Sequence, residues 1–140
     1  MDDWWPAAPR WARIIAVTSA VALVYGTVVH LVQLAAGGLD PYPSVPDWLA
    51  AYFVSLTVLD PAAAVLLLLR RRSGLILSCA VLLTDADADA AANGYAKYVL
   101  DDADGITLGR IGQAVITVLA VALTAAAPRL WSSSRLAVHR

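Results

Sequence analysis

The 140 residues include 60% hydrophobic and 15% charged side chains, with a mean hydropathy of +0.68, against roughly 45–50% and 25% in soluble chains. At this length the apolar surplus has no soluble core to fill, so the chain is expected in a lipid bilayer. The formal charge of −1 excludes a basic nucleic-acid footprint, and one cysteine, Cys79, excludes an internal disulfide framework.

A spanning helix needs about 20 mostly apolar residues, and four stretches qualify, at about 12–36, 49–69, 75–94 and 107–127. The expected fold is all-α: a polytopic integral membrane four-helix bundle forming one domain over residues 1–140. The first stretch is too long for a signal peptide and its exit lacks a small-residue cleavage pattern, so it reads as a retained span. On it, Ser19, Gly26, His30 and Gln33 align on one face at about 100° per residue. Tyr25, deep in the same span, needs a partner for its hydroxyl and is expected in a pocket or core. The Gly37–Asp47 connection, with three prolines, is a breaker composition.

In the second span Thr57 and Asp60 are neighbours across one turn, and Pro61 follows directly. Proline removes the hydrogen bond to the Thr57 carbonyl. Aspartate before proline also fits the N-cap of an inner half-helix, and a helix broken at the midplane is a recurring feature of transporter sites. A tight basic turn, Arg70–Ser73, leads into the third span.

That span is the expensive one. Its large aliphatics contribute about −0.3 to −0.6 kcal/mol each, whereas an aspartate at mid-helix costs about +2.5 to +3.5, and it holds Asp85, Asp87 and Asp89. Intramembrane acids are functional by default. Ser78, Asp85, Asp89 and Asn93 share one face, with Asp87 roughly opposite Asp85. Ala86, Ala90 and Gly94 form a second ridge at the small-xxx-small spacing that suits close helix contact. After the Asp-rich turn Asp101–Gly105, the fourth span aligns Arg110, Gln113, Thr117 and Thr124. At about 1.5 Å per residue, Asp60 and Asp85 both fall near the midplane. His30, Gln33, Asp89, Asn93, Arg110 and Gln113 fall in the outer third. The expected site is therefore a polar pocket, deepest at Asp60 and Asp85. Arg110 serves there either as an interface anchor or as the counter-ion of Asp89.

Charge orients the spans. Arg10, Arg13, Arg70, Arg71, Arg72, Arg129, Arg135 and Arg140 fall on one side; Lys97 and Arg110 fall on the other with Asp40, Asp47, Asp101, Asp102 and Asp104. The positive-inside rule puts both termini in the cytoplasm. Trp4, Trp5, Trp11 and Trp131 at one set of ends, and Tyr42, Trp48, Tyr52, Tyr95 and Tyr98 at the other, match an aromatic belt. Nine arginines to one lysine, with heavy alanine use, fit a bacterial inner-membrane protein. No cofactor or metal is expected: Asp85-x-Asp87-x-Asp89 starts like a calcium loop, but its sixth position is Ala90 and its twelfth Ala96.

The order of Pro46-Asp47-Trp48 in a short outer loop, a proline-bearing second span, a basic inner turn and a polar third span resembles the EXPERA-type membrane proteins over about residues 40–127. That group includes sterol isomerases and the sigma-2 receptor. The resemblance implies a lipophilic, often cationic, ligand or acid–base isomerisation of a lipid. The family uses glutamates and a histidine in the second and third spans. Here the second span has only Asp60, and the histidine is His30 on the first.

Three functions compete. The first is a small-molecule or ion-binding membrane protein, proton-coupled and dimeric, lined by Asp60, Asp85, Asp89, Asn93, His30, Gln33, Tyr25, Thr57, Arg110, Gln113 and Thr117. The second is an intramembrane isomerase or terpenoid cyclase with Asp85, Asp89, Asp60 and His30 as acid–base groups. The third is an accessory subunit whose acids only pair helices. Partners common to the first two are the bilayer and a small or lipid-like ligand.

Overall fold

A computed structural model describes residues 7–99 and 108–136, with side chains of the last helix to Ser133. Its elements are α1 (Arg10–Gly37), α2 (Asp47–Leu68), α3 (Arg72–Tyr98) and α4 (Leu108–Leu136), with no strand among the described residues. Trp4, Trp5, the Asp101–Gly105 turn, Arg140 and the side chain of Arg135 lie outside this description.

The repeat of buried positions explains why the four helices associate. In α2 the buried stripe runs Leu49, Phe53, Leu56, Asp60, Ala63 and Leu67; in α3 it runs Leu75, Ser78, Leu82, Asp85 and Ala88. In α1 it is Ala12, Ala16, Ser19 and Leu23, and in α4 Ala120, Leu123, Ala126, Leu130 and Ser133. Steps of three and four residues average about 3.5, the spacing of knobs-into-holes packing between nearly antiparallel helices. Each helix packs against its neighbour in sequence, and α4 closes the bundle against α1. Asp60 and Asp85 thus occupy core positions of their stripes, where leucine is the usual residue.

The helix ends follow local chemistry. Pro9 and Pro46 precede α1 and α2, where the fixed φ of proline leads into a helix. Gly38, at φ 61°, ends α1 and its N–H donates to the Leu34 carbonyl at 3.1 Å. At the end of α2, Arg71 N–H donates to Leu66 O and Arg70 N–H to Leu67 O, both at 2.9 Å. That is a Schellman pattern, with Arg70 at φ 58° in the left-handed position normally filled by glycine.

Two expectations about helix breaks and contacts are corrected. α2 runs unbroken through Pro61, so Asp60 caps no half-helix. The Ala86/Ala90/Gly94 ridge makes no close contact: Ala90 is exposed, and a Cβ on Gly94 would meet nothing within 4 Å. The close approaches fall instead at Gly74, where a Cβ would collide with the Leu66 carbonyl, and at Gly26 against Asp60. Large aliphatics cover the outside of the bundle, among them Val21, Val58, Ile76 and Val118. α1, α2 and α4 are long and apolar enough to cross a membrane. α3 is of comparable length but carries the three aspartates.

Candidate functional site

Asp60 and Asp85 enter the bundle interior because the core stripe of each helix puts them there. Asp60 is 2% exposed, and its Oδ2 lies 2.6 Å from where a Cβ on Gly26 would stand. A Cβ at position 26 would press on that carboxyl oxygen, so glycine there gives Asp60 its present place between α1 and α2. Asp85 is 9% exposed. Each keeps one buried oxygen, Oδ1, without a hydrogen-bond partner among the described residues, as does the Ser19 hydroxyl on the same face of α1 as Gly26. Native structures rarely leave such atoms unpaired, and each one requires an explanation.

The two acids do not share one level, as the depth arithmetic placed them. Ser78 Oγ donates to the Ala63 carbonyl at 3.3 Å, which sets α2 against α3. From that crossing, Asp60 lies three residues and Asp85 seven residues toward the acidic end, an offset of about 6 Å at about 1.5 Å per residue. Asp85 is within electrostatic reach of both Asp89 and Asp60, and the Tyr52 hydroxyl senses all three acids. The carboxylates form a ladder up α2 and α3 from the middle of the bundle, not a facing pair.

Aromatic rings surround the Asp85 level. Tyr52 Oη and Thr84 Oγ1 share a hydrogen bond of 2.8 Å between α2 and α3. His30 stacks on Phe53 with centroids 5.9 Å apart, and Tyr42 leans on the same ring at 5.3 Å. Tyr42 Oη donates to Gln33 Oε1 at 2.9 Å and lies 2.9 Å from His30 Nδ1. With its one proton given to Gln33, the Tyr42 oxygen accepts from Nδ1–H, which leaves Nε2 as the unprotonated nitrogen of the neutral ring. Burial first, and the charge of Asp85 second, push the Tyr42 hydroxyl above its ordinary value of 10.0. Tyr42 therefore stays a donor and holds His30 and Gln33 in place.

The remaining expected residues divide. Asn93 Nδ2 donates to Gln113 Oε1 at 3.0 Å and to the Gly109 carbonyl at 3.4 Å, tying α3 to α4 at the acidic end. Arg110, one residue further, is half-buried. Asp89 is half-buried on the Asp85 face, and Asp87 is exposed. Thr57 and Thr117 bond back to their own helices, at Val54 O and Gln113 O, and add no donor to the site. Tyr25 corrects a further expectation: it is 70% exposed on the outer surface of α1, neither pocket nor core. Ser19, on the polar face of α1, and the rings of Tyr52 and Phe53 also belong to the site, and the loop residue Tyr42 joins it unanticipated by the sequence. Among the described residues no group of His, Cys, Asp or Glu is placed to hold a metal ion.

Two grooves lie at the arginine-bearing end, away from the acids. One of about 590 Å³ between α3 and α4 is lined by Leu75, Cys79, Thr124 and Trp131 among others. The other, of about 510 Å³, is lined by Arg10, Arg13, Ile14, Val17, Thr18 and Arg70. No protein-family model, curated protein or solved structure matches this chain.

Proposed function

We propose that the chain is a multi-pass membrane protein whose Asp60–Asp85–Asp89 ladder exchanges protons for a small, lipophilic cation. α1, α2 and α4 meet the lipid along their length, and α3 crosses with Asp85 and Asp89 turned toward the bundle and Asp87 outside it. The arginine-bearing ends face the cytoplasm by the positive-inside rule, and the composition fits a bacterial inner membrane. A homodimer supplies what four helices alone lack for a complete transport path.

One observation carries this reading: two buried carboxyl groups on adjacent helices each have an oxygen without a partner among the described residues. An accessory subunit that used its acids only to join helices would pair them. Carboxyl groups placed in a low-dielectric interior without a cation exchange charge readily, because the neutral acid and the ion-paired carboxylate are the two low-cost states there. The rings of Phe53, Tyr42 and Tyr52 offer π faces to a lipophilic cation at the Asp85 level.

A second reading, an intramembrane acid–base enzyme, is favoured by the His30–Tyr42–Gln33 chain, which holds an imidazole near the level of Asp85. The layout resemblance to EXPERA-type proteins fits either reading. The test is equilibrium binding of tetraphenylphosphonium to the full chain in lipid nanodiscs. Binding that strengthens as pH rises and disappears in Asp85→Asn supports the exchanger. Unchanged binding in a folded Asp85→Asn protein overturns it.

A further inference from the structure

We infer that the groove between the start of α1 and the α2–α3 turn is a binding site for the phosphate of an anionic membrane phospholipid. Arg10, Arg13 and Arg70 line it, joined by the Thr18 hydroxyl, with Ile14 and Val17 between them. Its volume of about 510 Å³ accommodates a head group. Among the described residues its lining carries three arginines and no acid. Guanidinium groups match phosphate oxygens with paired N–H donors, the geometry that makes arginine the residue of choice for this anion.

Two observations point to an occupant. Arg13 Nε is buried and has no hydrogen-bond partner among the described residues. Arg70 sits at φ 58° in the position where glycine ends a helix without strain. A guanidinium is thus kept at the groove by a backbone conformation that its side chain disfavours. The three consecutive arginines of the turn also part company: Arg72 lies over the Trp131 ring, 4.9 Å from its centroid, on the α4 side, whereas Arg70 serves the α1 side.

The lipid source follows from what adjoins the groove. Ile14, Val17, Val21, Val24 and Val28 form a continuous exposed apolar track along α1, leading away from the arginines toward the middle of the helix. A free phosphate has no use for that track, whereas the acyl chains of a phospholipid lie along it. Basic pockets between spanning helices on the cytoplasmic side are known to hold anionic head groups. The site rests on the bilayer placement above but not on the acid ladder.

The experiment is native mass spectrometry of the full chain released from nanodiscs of equal phosphatidylglycerol and phosphatidylcholine. The wild type retains phosphatidylglycerol preferentially. Arg13→Gln and Arg70→Gly each lower that preference about fivefold, the equivalent of about 1 kcal/mol per arginine at the surface. Arg72→Gln leaves it unchanged. Arg70→Gly relieves backbone strain and keeps the test independent of folding failure. Equal preference in the wild type, Arg13→Gln and Arg70→Gly overturns the site, as does displacement of the lipid by millimolar inorganic phosphate or glycerol phosphate. A chain that fails to enter nanodiscs overturns the bilayer placement; a chain that enters without lipid preference overturns this site alone.

Discussion

Replacing Asp60 with leucine separates an acid kept for exchange from one kept for structure. If Asp60 were half of a buried ion pair, removing it would cost about 3–5 kcal/mol, because the partner charge would stay behind. Asp60 instead has an unpaired Oδ1 and is 2% exposed. Lifting a desolvated atom of that kind gains about 1–3 kcal/mol. Leucine has the same branching as aspartate, but its methyl groups are larger than oxygens. Against Gly26, where Oδ2 lies 2.6 Å from a Cβ position, that crowding costs about 1–3 kcal/mol. Lipid is as apolar as leucine, so burial adds no further gain. The sum lies within about 2 kcal/mol of zero. Reversible unfolding in mixed micelles with increasing dodecyl sulfate, followed by circular dichroism, measures it, and the same sample loses tetraphenylphosphonium binding. A loss of about 3 kcal/mol or more would mean that Asp60 has a cationic partner, and the exchange reading would fail.

Three other outcomes are expected by the same unfolding and titration methods. Arg70→Gly stabilises the fold by about 1 kcal/mol, since the left-handed conformation disfavours any Cβ; a lower unfolding midpoint contradicts the Schellman description of that turn. Gly74→Ala destabilises by about 3 kcal/mol or more, because its Cβ meets the Leu66 carbonyl, backbone that cannot step aside; unchanged stability refutes the close crossing of α2 and α3. The Tyr42 hydroxyl, raised above 10.0 by burial and then by Asp85, favours its protonated form in the fold. Its contribution is complete below the unfolded value and is lost as pH rises through the higher folded one. The difference between wild-type and Tyr42→Phe absorbance titrations shows a phenolate appearing above pH 10.0; ionisation at or below that value contradicts the buried hydrogen-bond chain.

Periodicity made the four helices readable, since apolar content over about 20 residues needs no knowledge of neighbours. The faces of α1 and α3 were also legible: Ser19, Gly26 and His30 do turn inward with Asp85, and Asp87 does turn out. The need of a hydroxyl for a partner suggests an interior place for Tyr25, but its angle, about 100° from Gly26 on the wheel, turns it to the outer surface. Levels between helices were beyond the reach of counting. They depend on how tightly the Leu69–Arg71 turn closes and how α2 slides on α3, which the Gly74–Leu66 contact decides. Tyr42 looked like a belt residue, and nothing local to a loop tyrosine announces that it joins His30 to Gln33. Arg70 did leave a trace, as a helix end followed by arginines with no glycine at the stop.

In the proposed exchange the buried acids release a proton when a cation arrives. The most direct measurement adds tetraphenylphosphonium to weakly buffered nanodiscs holding the full chain and follows a pH-sensitive dye. Proton release is expected to saturate with binding and to be absent from both Asp60→Asn and Asp85→Asn proteins. Binding without proton release, or release from either variant as large as that of the wild type, would contradict it.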